Sequence, residues 1–226
     1  MANTAFVLWT GGKDSSLALY EAKLSGYDVK GLVTFVPPQP KFLAHPLHLI
    51  KYQAKALGLP HTILEVNEPF KVNYENALRF LKEKQGINQF VTGDIAEVDG
   101  YPNWIKECSR SVGAHVLTPL WGIDRVELIQ RLFAYKFQVV FSCIKKPWFT
   151  REWVGRELNE NSLVELMALN RETGLDICGE QGEYHTMVLD GPLFRKKICI
   201  DAYSKEEDGA LVYMNIQEVS LQDKNR

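Results

Sequence analysis

The chain is poor in the features that would assign it quickly. Its four cysteines (Cys108, Cys143, Cys178, Cys199) are scattered over 226 residues with no CxxC pair. That spacing excludes a zinc ribbon and a thioredoxin-type redox pair, and it suits a reducing compartment. Charge of one sign is also missing: 26 basic against 28 acidic side chains leave a net −2, which argues against a surface built to coat nucleic acid. No run approaches the roughly 20 apolar residues of a membrane span. The short apolar run near Met1 lacks the basic flank of a signal peptide. Pro/Ser-rich linkers, internal repeats and low-complexity stretches are absent. The expectation is a cytoplasmic protein without a membrane or nucleic-acid partner, 46% hydrophobic and long enough to bury a full core.

What is present is rhythm. Ala5 to Trp9, Asp28 to Val36, His61 to Val66, Gln89 to Thr92, Ala114 to Leu117 and Gln138 to Ile144 read as strands. Helical patterns lie between them, including 46–57, 70–84, 101–112 and 124–135. Strands without polar alternation, separated by helices, predict a parallel α/β sheet covered on both faces. After about residue 145 the pattern changes to a helix-rich stretch (151–173), a Gly/Glu-rich loop, and strand runs at 186–190, 197–202 and 211–219. This predicts a smaller C-terminal α+β lobe, with domains at 1–142 and 143–226.

Between the first strand and first helix stands Thr10-Gly11-Gly12-Lys13-Asp14-Ser15. Such a junction points main-chain N–H groups and a positive helix end at one spot, which favours an anion. Two glycines admit a phosphate close to the backbone, the Thr10 and Ser15 hydroxyls add donors, and Lys13 adds a mobile charge. A helix terminus contributes about 0.3–1 kcal/mol and a hydrogen bond to a charged group about 1.5–3, so the nest and side chains dominate. The spacing fits neither GxxxxGK[ST] nor GxGxxG. The competing reading is an ordinary turn with Asp14 or Ser15 as helix cap.

A second polar cluster, Gly179-Glu180-Gln181-Gly182-Glu183-Tyr184-His185, sets two carboxylates three residues apart near an imidazole. It could hold an amine or ammonium, orient Mg²⁺ or transfer a proton, or be a solvated acidic turn. Asp190 before Gly191-Pro192 reads as a turn residue as much as a substrate contact. His45 and His48 point to a surface or phosphate-proximal role rather than a metal, and His61 and His115 to structure. Cys178 has no recognisable base partner in sequence.

The string TGGKDSS at 10–16 resembles the SGGxDS phosphate loop of the N-type ATP pyrophosphatases, with Thr10 in place of Ser. Gly93-Asp94-Ile95, Pro119-Leu120-Trp121-Gly122 and Gly179–Thr186 with Asp190-Gly191-Pro192 extend the likeness to the diphthine–ammonia ligase family, nearest its bacterial-type branch. The resemblance implies an adenine nucleotide alpha hydrolase-like, Rossmann-like domain over 1–142 and an acceptor-binding lobe over 143–226. It implies that a substrate carboxylate attacks the α-phosphate of ATP, pyrophosphate leaves, and ammonia or an amine displaces AMP. On that reading Lys13 and Mg²⁺ neutralise the leaving pyrophosphate, and Asp14 and Asp94 are the metal candidates. Thr10, Gly11, Gly12 and Ser15 hold phosphate oxygens. Thr34 and Phe35 contact adenine through their backbone, and Gly93 ends the fourth strand beside the same crevice. Glu180, Glu183 and His185 face the substrate, with Glu183 and His185 catalytic and His185 the general base for the incoming nitrogen. Asp94 has an alternative as cap of the next helix. Homodimerisation is expected from related folds.

Residues 96–104 lack the tyrosine–glutamine pair and following arginine usual in this family, and His185 stands where a Glu is more usual. Both departures bear on the acceptor. Two alternatives stand beside this reading: an ATP- or AMP-binding sensor module without turnover, and a tRNA-modifying enzyme, which would share the loop but want a basic face and usually paired cysteines.

Overall fold

The computed structural model describes residues 3–97 and 103–224. The part of the 96–104 departure at 98–102, and the first residues of the helix expected from 101, lie outside them. The chain forms two compact units, one of residues through Thr10 with Asp14–Lys41 and Leu59–Gly122, the other of Gly11–Lys13, Phe42–Gly58 and Ile123–Arg226.

The first unit holds five parallel strands in the order β3-β2-β1-β4-β5: β1 (Thr4–Leu8), β2 (Asp28–Val36), β3 (His61–Glu65), β4 (Gln89–Val91) and β5 (His115–Leu117). Ala5, Val7, Leu32, Val33, Phe90 and Val91 have no exposed surface, as strands covered on both faces require. Phe6, Val33 and Phe90 pack with Leu78 and Leu81 of α3 (Phe70–Gln85) and Cys108 of α4 (Trp104–Ser111). The strand order reverses between β1 and β4, and ligands of open α/β sheets bind at the carboxyl ends of such a pair. Helix α1 (Lys13–Leu24) starts just after β1.

The second unit is an antiparallel sheet in the order β7-β6-β9-β8, from β6 (Gln138–Lys145), β7 (Tyr184–Asp190), β8 (Lys196–Asp208) and β9 (Leu211–Asp223). It includes α2 (Leu47–Leu57), α5 (Arg125–Ala134) and α6 (Glu160–Thr173). The Asp208-Gly209 turn joins two 13-residue strands, longer than the sequence suggested.

Three allocations differ from the sequence expectation. The sixth strand, β6, is no member of the parallel sheet but lies antiparallel between β7 and β9. Helix α2, placed between β2 and β3 in the chain, packs on β8 and β9, where Arg195 N–H donates to Ala56 O at 2.7 Å. The break between units falls at Gly122–Ile123, whereas residue 142 would cut β6. An apolar run such as Val139-Val140-Phe141 carries burial but no strand direction, so the sequence could not assign it to a sheet.

Candidate functional site

In the first unit, β1 ends at Leu8 and Trp9 N–H donates to Val33 O at 2.7 Å. Backbone groups alternate edges along a strand. Phe35, two residues past Val33, therefore turns its N–H and C=O to the same edge beyond the end of β1. Thr34 faces the other way and pairs with Ile63. Its buried hydroxyl donates to Trp9 O at 2.7 Å and accepts from His61 Nε2 at 2.8 Å, so His61 is structural, as expected. Phe35 rests edge-on against Tyr74, and Tyr74 against Trp104.

Gly93 follows β4, and a Cβ there would lie 2.6 Å from Asp14 C and Ser15 N. Only glycine lets this chain reach the first turn of α1. Thr10 Oγ1 donates to Ser15 Oγ at 3.2 Å. The buried hydroxyls of Ser16 and Thr92 have no hydrogen-bond partner, an arrangement that suits a polar ligand at the ends of β1 and β4. Asp94 is not the cap of α4: Asn103 is, accepting Lys106 N–H at 2.8 Å, and Asn103 Nδ2 donates to Asp94 Oδ2 at 2.5 Å. Asp94 braces the cap.

In the second unit, Gly11–Lys13 lies along β7. Val188 N–H donates to Gly11 O at 3.1 Å and Lys13 N–H to Thr186 Oγ1 at 3.1 Å. Lys13 is 4% exposed, so it is not the mobile charge the sequence suggested. Its Nζ donates to Cys178 O at 2.5 Å and sits 5.4 Å from the Tyr184 ring centroid. Gln53 of α2, not singled out from sequence, is fully buried, and its Nε2 donates to Gly11 O at 2.8 Å and Val188 O at 2.9 Å. A signal existed: Gln53 is the polar position in an otherwise apolar stripe of Leu49, Ile50, Ala54, Ala56 and Leu57.

The acidic loop before β7 separates its two carboxylates by task. Glu183 is buried, with Oε1 accepting Asp176 N–H at 2.8 Å and Oε2 accepting Gln181 N–H at 3.0 Å. It holds the loop's shape. Glu180 and His185 are only partly buried. Asp176, also unforeseen, accepts Cys178 N–H at 2.7 Å and pairs with Arg125 at 3.1 Å. Asp190 accepts Gly191 N–H and Lys224 Nζ, the latter at 2.7 Å, a turn role.

His45 reaches this loop from the segment before α2. Its ring centroid is 5.4 Å from that of His185, nearly perpendicular, and its Nε2 donates to Thr186 O at 2.9 Å. Burial, then the His185 and Lys13 charges, hold its pKa down to about 3, against the opposing Thr186 bond. His45 is therefore neutral at ordinary pH.

Among the described residues no three His, Cys, Asp or Glu side chains are grouped to hold a metal. A magnesium ion needs only one or two carboxylates beside phosphate oxygens and water, and Asp14 and Asp94, both partly exposed, suit that donor set. No helix among the described residues is long and apolar enough to cross a membrane.

Comparison with known proteins follows the same division. Residues 3–116 match the diphthamide synthase N-terminal domain and residues 124–221 the diphthamide synthase C-terminal domain. The chain is 24% identical to the diphthine–ammonia ligase of Bos taurus, over 96% of this chain and 92% of that protein. It is 26% identical to that of Danio rerio, over 96% of each. With the Schizosaccharomyces pombe enzyme of the same name the identity is 26% over 93% of this chain, which spans only 38% of that longer protein. A solved structure described as a predicted subunit of tRNA methyltransferase from Methanocaldococcus jannaschii aligns with TM-score 0.44 and 18% identity, over 83% of this chain and 97% of that one.

Proposed function

Because the chain belongs to the diphthamide synthase family, we propose that it is an ATP-dependent amide-forming ligase releasing AMP and pyrophosphate. The observation that carries this reading is the placement of Thr10–Ser15 at the carboxyl end of β1, with Gly93 at the end of β4 closed onto the first turn of α1. A carboxylate oxygen of the acceptor attacks the α-phosphorus, the α–β bridging bond breaks, and pyrophosphate leaves. Ammonia or an amine then attacks the acyl carbon, its proton passes to His185, and AMP departs with the bonding pair on its phosphate oxygen.

Each residue has a task in this scheme. The backbone edge of Phe35 beyond the end of β1 suits the adenine ring, with the Thr34 hydroxyl bonded to Trp9 O beside it. Gly11, Gly12, Thr10 and Ser15 bind phosphate oxygens. Lys13, already desolvated, stabilises charge on the leaving pyrophosphate more strongly than a lysine in water would. Asp14 and Asp94 would hold magnesium, which would supply charge neutralisation at the phosphates. Glu180 and His185 face the nitrogen donor, while Glu183 positions their loop. We further infer a cytoplasmic homodimer acting on a small or protein-borne acid.

Oxygen labelling tests the scheme. With an acceptor fraction ¹⁸O-labelled in its carboxylates, one labelled oxygen enters each AMP formed. Label in orthophosphate or pyrophosphate instead would place the attack at another phosphorus and overturn the reading.

A further inference from the structure

Gly11 and Gly12 carry no side-chain atoms to fix the loop's shape, and Gly11 has φ +81°, a conformation costly for other residues and unconstrained for glycine. Something outside the loop must select it. Gln53 is fully buried, and its amide donates to Gly11 O at 2.8 Å and Val188 O at 2.9 Å. Its Oε1 occupies the place where a Cβ on residue 11 would stand. Gly11 O thus receives two donors, Gln53 Nε2 and Val188 N–H, while Lys13 N–H is held by Thr186 Oγ1. Two carbonyls converge on one amide, a geometry that glutamine can satisfy and that a carboxylate or an apolar side chain cannot.

We propose that Gln53 is a positioning residue of the phosphate loop: its amide clamps Gly11 to β7 and sets the main-chain cradle for the pyrophosphate end of ATP. This rests on the reading of Thr10–Ser15 as the ATP phosphate site. Gln53 touches no nucleotide itself; it acts through Gly11. The Gly11 side of the clamp explains a glycine requirement that phosphate approach alone does not, since the space is filled from within the protein.

The test is equilibrium binding of ATP, inorganic pyrophosphate and adenosine, the first two with Mg²⁺, to the full chain and to Gln53→Met, Gln53→Glu and Gly11→Ala, with circular dichroism verifying the fold. Losing the donor misplaces the cradle, so ATP and pyrophosphate affinities fall about tenfold in Gln53→Met, the equivalent of one hydrogen bond. They fall further in Gln53→Glu, where a carboxylate opposes two carbonyls. Adenosine binding stays within about twofold. Should Gln53→Glu fail to fold, Gln53→Met and Gly11→Ala decide. Unchanged pyrophosphate affinity, or an equal loss for adenosine, overturns the inference. A wild-type chain that binds neither ATP nor pyrophosphate overturns the phosphate-loop reading beneath it.

Discussion

At Glu183, both carboxylate oxygens are engaged by main-chain N–H groups, and the side chain is 2% exposed. Replacing it with Gln removes one acceptor and sets an N–H against another N–H. A loss of about 1.5–3 kcal/mol follows, the scale of a hydrogen bond to a charged group, and urea denaturation measures it. Glu180→Gln, at a less buried position of the same loop, changes stability by no more than about 0.5 kcal/mol. His45 gives a pH signature. Its folded pKa of about 3 lies below the ordinary 6.5, so the unfolded chain binds the proton first. Its contribution is complete above pH 6.5 and is lost as pH falls toward 3. Between pH 7 and 5 the wild type should therefore lose roughly 4–8 °C more in Tm than His45→Gln, which keeps a donor for Thr186 O but does not titrate. Equal losses would show that His45 is not held neutral. His185→Ala should slow amide formation at saturating ATP by about 10²- to 10⁴-fold, the usual range for a general base; unchanged turnover removes that role.

Among the elements, α1 and β4 approach through Gly93. Gly93→Ala places a methyl 2.6 Å from main-chain atoms of Asp14 and Ser15, which must shift. The expected cost is about 1–3 kcal/mol together with weakened ATP binding, and thermal melting with and without ATP separates the two. The five parallel strands and the turn at Asp208-Gly209 were legible because apolar runs and turn residues are local signals. The loop Thr10–Ser15 was legible for the same reason. Gln53, His45 and Asp176 were not. Gln53 and His45 act on main chain distant in sequence, such as Gly11 and Val188 for Gln53, and Asp176 pairs with the distant Arg125 side chain; no local pattern names those partners. The allocation of α2 and β6 was hidden likewise, since helical and strand periodicity encode burial and not the sheet that provides it. Asp94 shows a subtler gap: a cap signal was present, but Asn103 sits where the helix starts.

For the whole molecule, the break at Gly122–Ile123 coincides with the interval between the two family domains, which end at 116 and resume at 124. The chain returns to the second unit twice before that break, at Gly11–Lys13 and at Phe42–Gly58. Those excursions carry Lys13, His45 and Gln53, and their hydrogen bonds to Thr186, Cys178 and Val188 lie within the second unit. The direct test of the account is the stoichiometry of nucleotide products when the full chain is incubated with ATP, Mg²⁺, ammonium and a panel of carboxylate-containing fractions. The account predicts AMP and pyrophosphate in equal amounts, dependent on one acceptor. ADP and orthophosphate would contradict it.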